Sequence, residues 1–155
     1  MKKIYFIMLT ACIMFLSCNK DQSINSNYLI FGHYYGFCAG EQCIEIFKLN
    51  SSSLFEDTND KYPNSNNFYN ANYTSLSNDK FNLVKDLADD FPSDLLSEKN
   101  ITIGQPDAGD WGGYYIEYSK NGIHKFWLID KMTSNLPAKY HAFLSKVEKK
   151  IGLLQ

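Results

Sequence analysis

The hydrophobic pattern changes period several times along the chain, and each change marks an element. Residues 28–35 (YLIFGHYY) and 43–49 (CIEIFKL) are dense in aromatic and β-branched side chains, with two glycines in the stretch between them. Such runs favour strands, and the glycines favour the turn that joins them. They predict a β-hairpin with residues 39–42 as its loop, Cys38 facing Cys43, and Phe37/Ile44 and Tyr35/Ile46 as the next cross-strand pairs, all four turned to the core. A short third strand, Leu54–Asp57, follows a run of serines.

Residues 59–75 (NDKYPNSNNFYNANYTS) are too rich in asparagine and too poor in aliphatics for a regular element, and predict a long loop. The period then becomes helical. Ser77 is an N-cap, Asp79 suits the positive end of a helix, and Leu76 and Phe81 occupy the two positions of a hydrophobic staple. The helix is predicted to reach about Asp89, with Phe81, Val84, Leu87 and Ala88 on its buried stripe; Pro92 disfavours helical geometry at Phe91 and stops it. Residues 94–98 add one further turn.

In the second half, residues 114–119 (YYIEYS) and 123–130 (IHKFWLID) flank Asn121-Gly122, the strongest short hairpin signal. This register pairs Tyr118/Lys125, Ile116/Trp127 and Tyr114/Ile129 on one face, and Glu117/Phe126 and Tyr115/Leu128 on the other. Pro137 then opens a helix in which Tyr140, Phe143, Leu144, Val147 and Ile151 recur at helical spacing. Strands then a helix, twice over, predict an α+β fold: an antiparallel sheet built from two β-hairpin units, each followed by a helix packing on the sheet. Residues 28–155 form this single globular domain.

The first apolar block has a different character. Lys2 and Lys3 precede a largely apolar run from Ile4 to Ser17, about fourteen residues, shorter than the roughly twenty that a spanning helix needs. The pattern is that of a cleaved export signal, residues 1–17. Leu16-Ser17-Cys18 resembles the lipobox of bacterial lipoproteins, which implies that Cys18 is acylated, with palmitate-type chains, as the first mature residue. Phe15 stands where the lipobox usually has an aliphatic residue, and Leu9-Thr10-Ala11-Cys12 fits that pattern better. Choosing Cys12, however, leaves Ile13, Met14, Phe15 and Leu16 exposed and shortens the apolar core. An ordinary cleaved signal with a structural Cys18 is the remaining alternative. Residues 18–27 are then a lipidated N-terminus and flexible tether with a reach of about 16 Å. The expected location is the bacterial cell envelope, on the outer membrane, with acyl chains on Cys18 holding the chain to the membrane without spanning it.

Without residues 1–17 the chain has 138 residues, 13 lysines and 17 acids, a formal charge near −4. That length suits one domain with one core. There is no arginine, and the lysines are interspersed with acids, which removes the forks that read phosphate and guanine. Nucleic acid is not an expected partner, and no cofactor is expected.

The stretch FGHYYGFCAGEQCIEIFKLNSSSLFED, the later DWGGYYIEY and the closing LPAKYHAFLSKVEKKIGLL resemble the short, uncharacterised envelope lipoproteins of Bacteroidetes-type bacteria. They are similar, more loosely, to a domain of unknown function with a Cys, Gly and Cys turn before a strand; this chain has four residues between its cysteines where that pattern has about three. The resemblance implies an envelope location and carries over no catalytic residues.

Candidate chemistry is sparse. In an exported protein a Cys38–Cys43 disulfide is the expected state, with free thiols, or a metal site adding His33, as the alternatives. No nearby fourth ligand supports the metal. His33, His124 and His141 have no partner pattern for general-base work, and no nucleophile motif occurs, so an enzyme is not expected. Asp107 and Asp110, or Glu56, Asp57 and Asp60, do not follow the ligand order of an EF-hand. Tyr62, Phe68 and Tyr73 sit among asparagines able to hydrogen-bond a sugar, and Trp111 stands in a separate glycine-rich loop. Alternatively, these rings pack the long loop onto the sheet over Tyr115, Phe126 and Leu128; left uncovered, those three would form an apolar patch for a protein partner. The expected function is a non-catalytic protein-interaction module with an envelope protein as partner, the alternative an envelope glycan or small-molecule binding module.

Overall fold

A computed structural model describes residues 27–155; the expected export signal, Cys12, Cys18 and the expected tether up to residue 26 lie outside the described residues. Seven strands form one sheet: β1 (Tyr28–Tyr34), β2 (Ile44–Leu49), β3 (Leu54–Asp57), β4 (Tyr73–Ser75), β5 (Thr102–Ile103), β6 (Gly113–Lys120) and β7 (Ile123–Asp130). Their order is β4-β3-β2-β1-β6-β7-β5, and only the β5–β7 pair is parallel. With two helices, α1 (Asn78–Val84) and α2 (His141–Gly152), the fold is mixed α+β. The two expected hairpin-plus-helix units are not separable in this sheet: β3, β4 and β5 extend it on both sides, and both helices share one core.

Strand alternation sends successive side chains to opposite faces, and both faces are covered. On one, Leu29, Phe31, Phe47, Ile116 and Trp127 pack against Val84 of α1 and Phe143, Leu144, Val147 and Ile151 of α2. The other, smaller core comprises Ile30, Tyr34, Ile46, Tyr115, Phe126 and Leu128, closed over by Tyr28, Ile44, Tyr69 and Tyr73. β1 lies at the centre of both, which is why it reads as a nearly continuous apolar run. Gly32 is required there, because a Cβ would lie 2.2 Å from the carbonyl oxygen of Glu45 on β2.

The second hairpin has the register its sequence specifies, Tyr118↔Lys125, Ile116↔Trp127 and Tyr114↔Ile129 among its pairs. Asn121 (φ 54°) and Gly122 (φ 80°) supply the two positive-φ positions of a type I′ turn. The first hairpin differs from expectation by three residues. Its ladder pairs Tyr34↔Ile44 and Gly32↔Ile46, and the strands end before the cysteines. Tyr35 and Ile46 therefore point to opposite faces, and Phe37, expected in the core, is 85% exposed. The disulfide forms nonetheless: Cys38 and Cys43 are 5.7 Å apart at Cα and close the loop, with a 3₁₀ turn at Glu41–Cys43.

Ser77 caps α1 as expected, its side chain accepting from the backbone N–H of Lys80. The helix stops at Val84, and a separate 3₁₀ turn, Leu87–Asp90, keeps Leu87 buried while Ala88 is exposed. Part of the stretch expected as loop is β4, which pairs Tyr73 with Asp57 at the sheet edge. Among the described residues no helix is long and apolar enough to cross a membrane.

Candidate functional site

β1 gives the domain two ends. Asn27 accepts the backbone N–H of Asn121 at 3.3 Å, so the start of the described chain, the second hairpin turn and the 50–53 turn share one end. The loop of residues 35–43 lies at the other. Six residues of strand rise separate the ends by about 20 Å.

Three aspartates fasten the loops of the domain. Asp57 accepts from the Tyr69 hydroxyl (2.7 Å), the Asn72 N–H (2.6 Å) and the Asp60 N–H (3.2 Å), which folds the asparagine-rich loop back on itself. Asp107 accepts from the Gly36 N–H (2.7 Å), the Tyr62 hydroxyl (2.8 Å) and the Gly112 N–H (2.9 Å), joining three separate loops. Asp130, fully buried, accepts from Gln105 N–H, Trp111 Nε1–H, Met132 N–H and Asn135 Nδ2–H at 2.8–3.0 Å. Burial alone would raise the pKa of Asp130; these hydrogen bonds outweigh it and hold the group below the usual carboxylate value.

The aromatic residues singled out by sequence separate into two groups. Phe68 stacks on His124 at 3.9 Å and touches Phe126 at 4.9 Å, Tyr115 lies 5.8 Å from Phe126, and Tyr69 packs on Tyr115. The loop thus covers Tyr115, Phe126 and Leu128, all less than 8% exposed, and they present no open patch. Tyr73 is half-buried beside Tyr28 and Lys48, its hydroxyl without a partner. Tyr62 lies apart, edge-on to Tyr34 and hydrogen-bonded to Asp107; burial and that carboxylate push its pKa up to about 12. Trp111 is pinned by Asp130 in the loop that Asp107 also fastens, so Tyr62 and Trp111 are linked through the 104–112 loop. Tyr62, Asn64, Asn67, Phe68 and Tyr69 line a cleft of about 290 Å³.

Beneath this face lies Glu117, 3% exposed. It accepts from Tyr115 (2.5 Å) and Tyr28 (2.9 Å) and pairs with His124 at 2.9 Å. Burial first, then Glu117, drive the Tyr115 hydroxyl far above its ordinary pKa. This is a closed structural network, because every oxygen of Glu117 is engaged.

At the loop end, His33 and Glu45 face each other across β1 and β2, both buried. His33 donates from Nε2 to the Gln42 carbonyl (3.1 Å), which leaves Nδ1 as an unpartnered acceptor. Burial, then Lys131, lower its pKa. Lys131 donates to Glu148 (2.9 Å) and to the Tyr35 hydroxyl. A hollow of about 430 Å³ opens between His33, Tyr35, Phe37, Cys38, Glu148 and Gln155. Phe37 at its lip is flanked by fixed groups: Gly36 by Asp107, Tyr35 N–H by Cys43 O (2.9 Å), and Cys38 by the disulfide.

Phe37 escapes sequence reasoning because treating the cysteines as a cross-strand pair moves it into the ladder. The signal that identifies it is the Gly36-Phe37-Cys38 run itself, an aromatic between a glycine and a loop-closing cysteine. Among the described residues no group of three His, Cys, Asp or Glu is placed to hold a metal ion.

The opposite end carries a cavity of about 610 Å³ between β1, the 50–53 turn, α1 with its following turn, and β6. Leu29, Leu49, Phe81 and Tyr118 line it, with Lys85, Asp86, Asp89 and Lys120 around them.

Compared with models of known protein families and with curated proteins, the chain matches none.

Proposed function

We propose that this chain is a membrane-anchored lipoprotein of the bacterial envelope whose domain is a non-catalytic protein-interaction module, with the Phe37 loop as its contact. The single observation that carries the reading is Phe37, 85% exposed on a loop whose flanking residues are all fastened. A large aromatic held out by a pre-organised loop has the character of an interface anchor, since little ordering entropy remains to oppose binding. The anchor on Cys18 rests on the lipobox-like junction and on the resemblance to envelope lipoproteins. With the tether joined at Asn27, the Phe37 loop would face away from the membrane, outward to a partner.

The test is in-cell photo-crosslinking from position 37 of the tagged lipoprotein, with a probe at Ser51 of the opposite end as control. One dominant protein captured from position 37 alone is the expected result; equal capture from both positions rejects the loop as the contact. The mass of the membrane-extracted protein tests the anchor separately, and the absence of an acyl increment sinks it.

A second reading, an envelope glycan-binding module, draws on the cleft lined by Tyr62, Asn64, Asn67 and Phe68, which combines exposed ring surface with amide groups. Saturable binding of an envelope oligosaccharide, lost in Phe68→Ala, would favour it.

A further inference from the structure

The cavity of about 610 Å³ at the Asn27 end has the size of a small-molecule site, with Leu29, Leu49, Phe81 and Tyr118 as its apolar wall and polar and charged side chains making up the rest of its lining. Two facts bear on its occupant. The first is position: Asn27, which lines the cavity, is nine residues from Cys18, so an acyl anchor on Cys18 would hold the opening within nine residues of chain of the lipid surface. The second is charge. Asp86 is already paired with Lys146 (2.9 Å) and Lys150 (2.6 Å), whereas Lys85 and Lys120 have no carboxylate partner among the described residues. Asp89 is the remaining acid of the lining, so the rim not yet neutralised has an excess of positive charge.

From this placement we propose that the cavity binds a single-chain anionic lipid drawn from the membrane that holds the protein, with the chain against Leu29, Leu49, Phe81 and Tyr118 and the headgroup between Lys85 and Lys120. The membrane as source rests on the proposed lipid anchor; the pocket chemistry does not. Apolar contact supplies the affinity, and the two ammonium groups select the sign of the headgroup.

The core closes within residues 27–155, so the mature chain can be examined without its anchor, as residues 19–155. Lysophosphatidylglycerol, kept below its micelle concentration, is titrated into the ¹⁵N-labelled protein while the amides of Ala88, Ser119 and Lys120 are followed. The expected result is a saturable shift of these amides, weakened at least tenfold in Lys85→Glu/Lys120→Glu and abolished in Ala88→Trp, which fills the exposed lip. Lysophosphatidylcholine should bind at least fivefold more weakly. No saturable shift, equal binding of the two lipids, or binding unchanged in the variants overturns the proposal. Thermal melts of the variants, expected to match the parent, exclude unfolding as the cause of any loss. Because this titration does not use Cys18, its failure and a missing acyl group on the membrane-extracted protein are separate results.

Discussion

The indole of Trp111 donates to the carboxylate of Asp130 at 3.0 Å, tying a glycine-rich loop to the end of β7. Asp130 has no exposed surface and satisfies three further donors, two of them backbone N–H groups. Removing the carboxylate would leave those donors without an acceptor, a penalty of about 1–3 kcal/mol for each that stays buried. Asp130→Ala is therefore expected to lower the unfolding free energy by at least about 3 kcal/mol in urea titration. Its tryptophan emission should shift to the red, because Trp111 is released while Trp127, 2% exposed, stays in the core. An unshifted spectrum would mean that the loop is held by something other than Asp130.

Glu45 should make stability depend on pH in a direction opposite to that of most carboxylates. Burial first, then Glu56, Asp60 and Glu41, push its pKa from 4.5 up to about 7. The folded chain keeps a proton that the unfolded chain releases, so the stability contribution of Glu45 falls as pH rises from about 4.5 to 7 and stays low above that. The full effect is about 3 kcal/mol. His33 acts the other way: its pKa is lowered from 6.5, so it costs stability as pH falls through that value. Comparing the parent with Glu45→Gln isolates the carboxylate, and the variant is expected to gain about 3 kcal/mol on the parent between pH 4 and 8. Parallel pH profiles for the two proteins would refute the assignment.

The Cys38–Cys43 bridge closes a short ring, and the chain entropy it removes from the unfolded state corresponds to about 2 kcal/mol. Replacing both cysteines by serine should cost about that much while leaving the β1–β2 amides protected from exchange, since the pairing of Phe31 with Phe47 belongs to the main core. Thiol titration of the unfolded, unreduced protein should find neither cysteine reactive. Loss of amide protection along β2 would make the bridge a condition of the hairpin rather than a brace on its loop.

The parts of the fold legible in sequence are those where one local signal has one structural solution. Asn121-Gly122 admits a two-residue turn with positive φ at both positions, and the whole β6–β7 register follows from it. The spacing of Phe143, Leu144, Val147 and Ile151 likewise has only the helix α2 as its solution. The first hairpin lacked such a signal. A disulfide restrains two Cα atoms to a distance that cross-strand pairs share with many loops, so the cysteines were compatible with several registers, and the three-residue slip carried Phe37 from the core to the surface. β4 is hidden for another reason: Tyr73–Ser75 has no apolar pattern of its own and is extended because Asp57 anchors Asn72 beside β3. Its pairing is a tertiary fact. Of the candidate binding residues, the chain pattern identified the aromatic loop but not its disposition, because Phe68 over His124 depends on a contact across 56 residues of chain.

Phe37→Ala separates partner recognition from folding. The ring is 85% exposed, so its removal exposes no core and should change the unfolding free energy by less than about 0.5 kcal/mol. The fastenings around it, Gly36 to Asp107 and Cys38 to Cys43, are made by other groups and persist in the variant. If the loop is the contact, truncation should weaken partner binding by about 2 kcal/mol, roughly 30-fold, as the loss of an aromatic anchor does. Pull-down of the partner identified by crosslinking, with parent and variant at equal expression and equal thermal stability, makes the comparison direct. A variant that captures the partner as well as the parent would place the contact elsewhere on the domain.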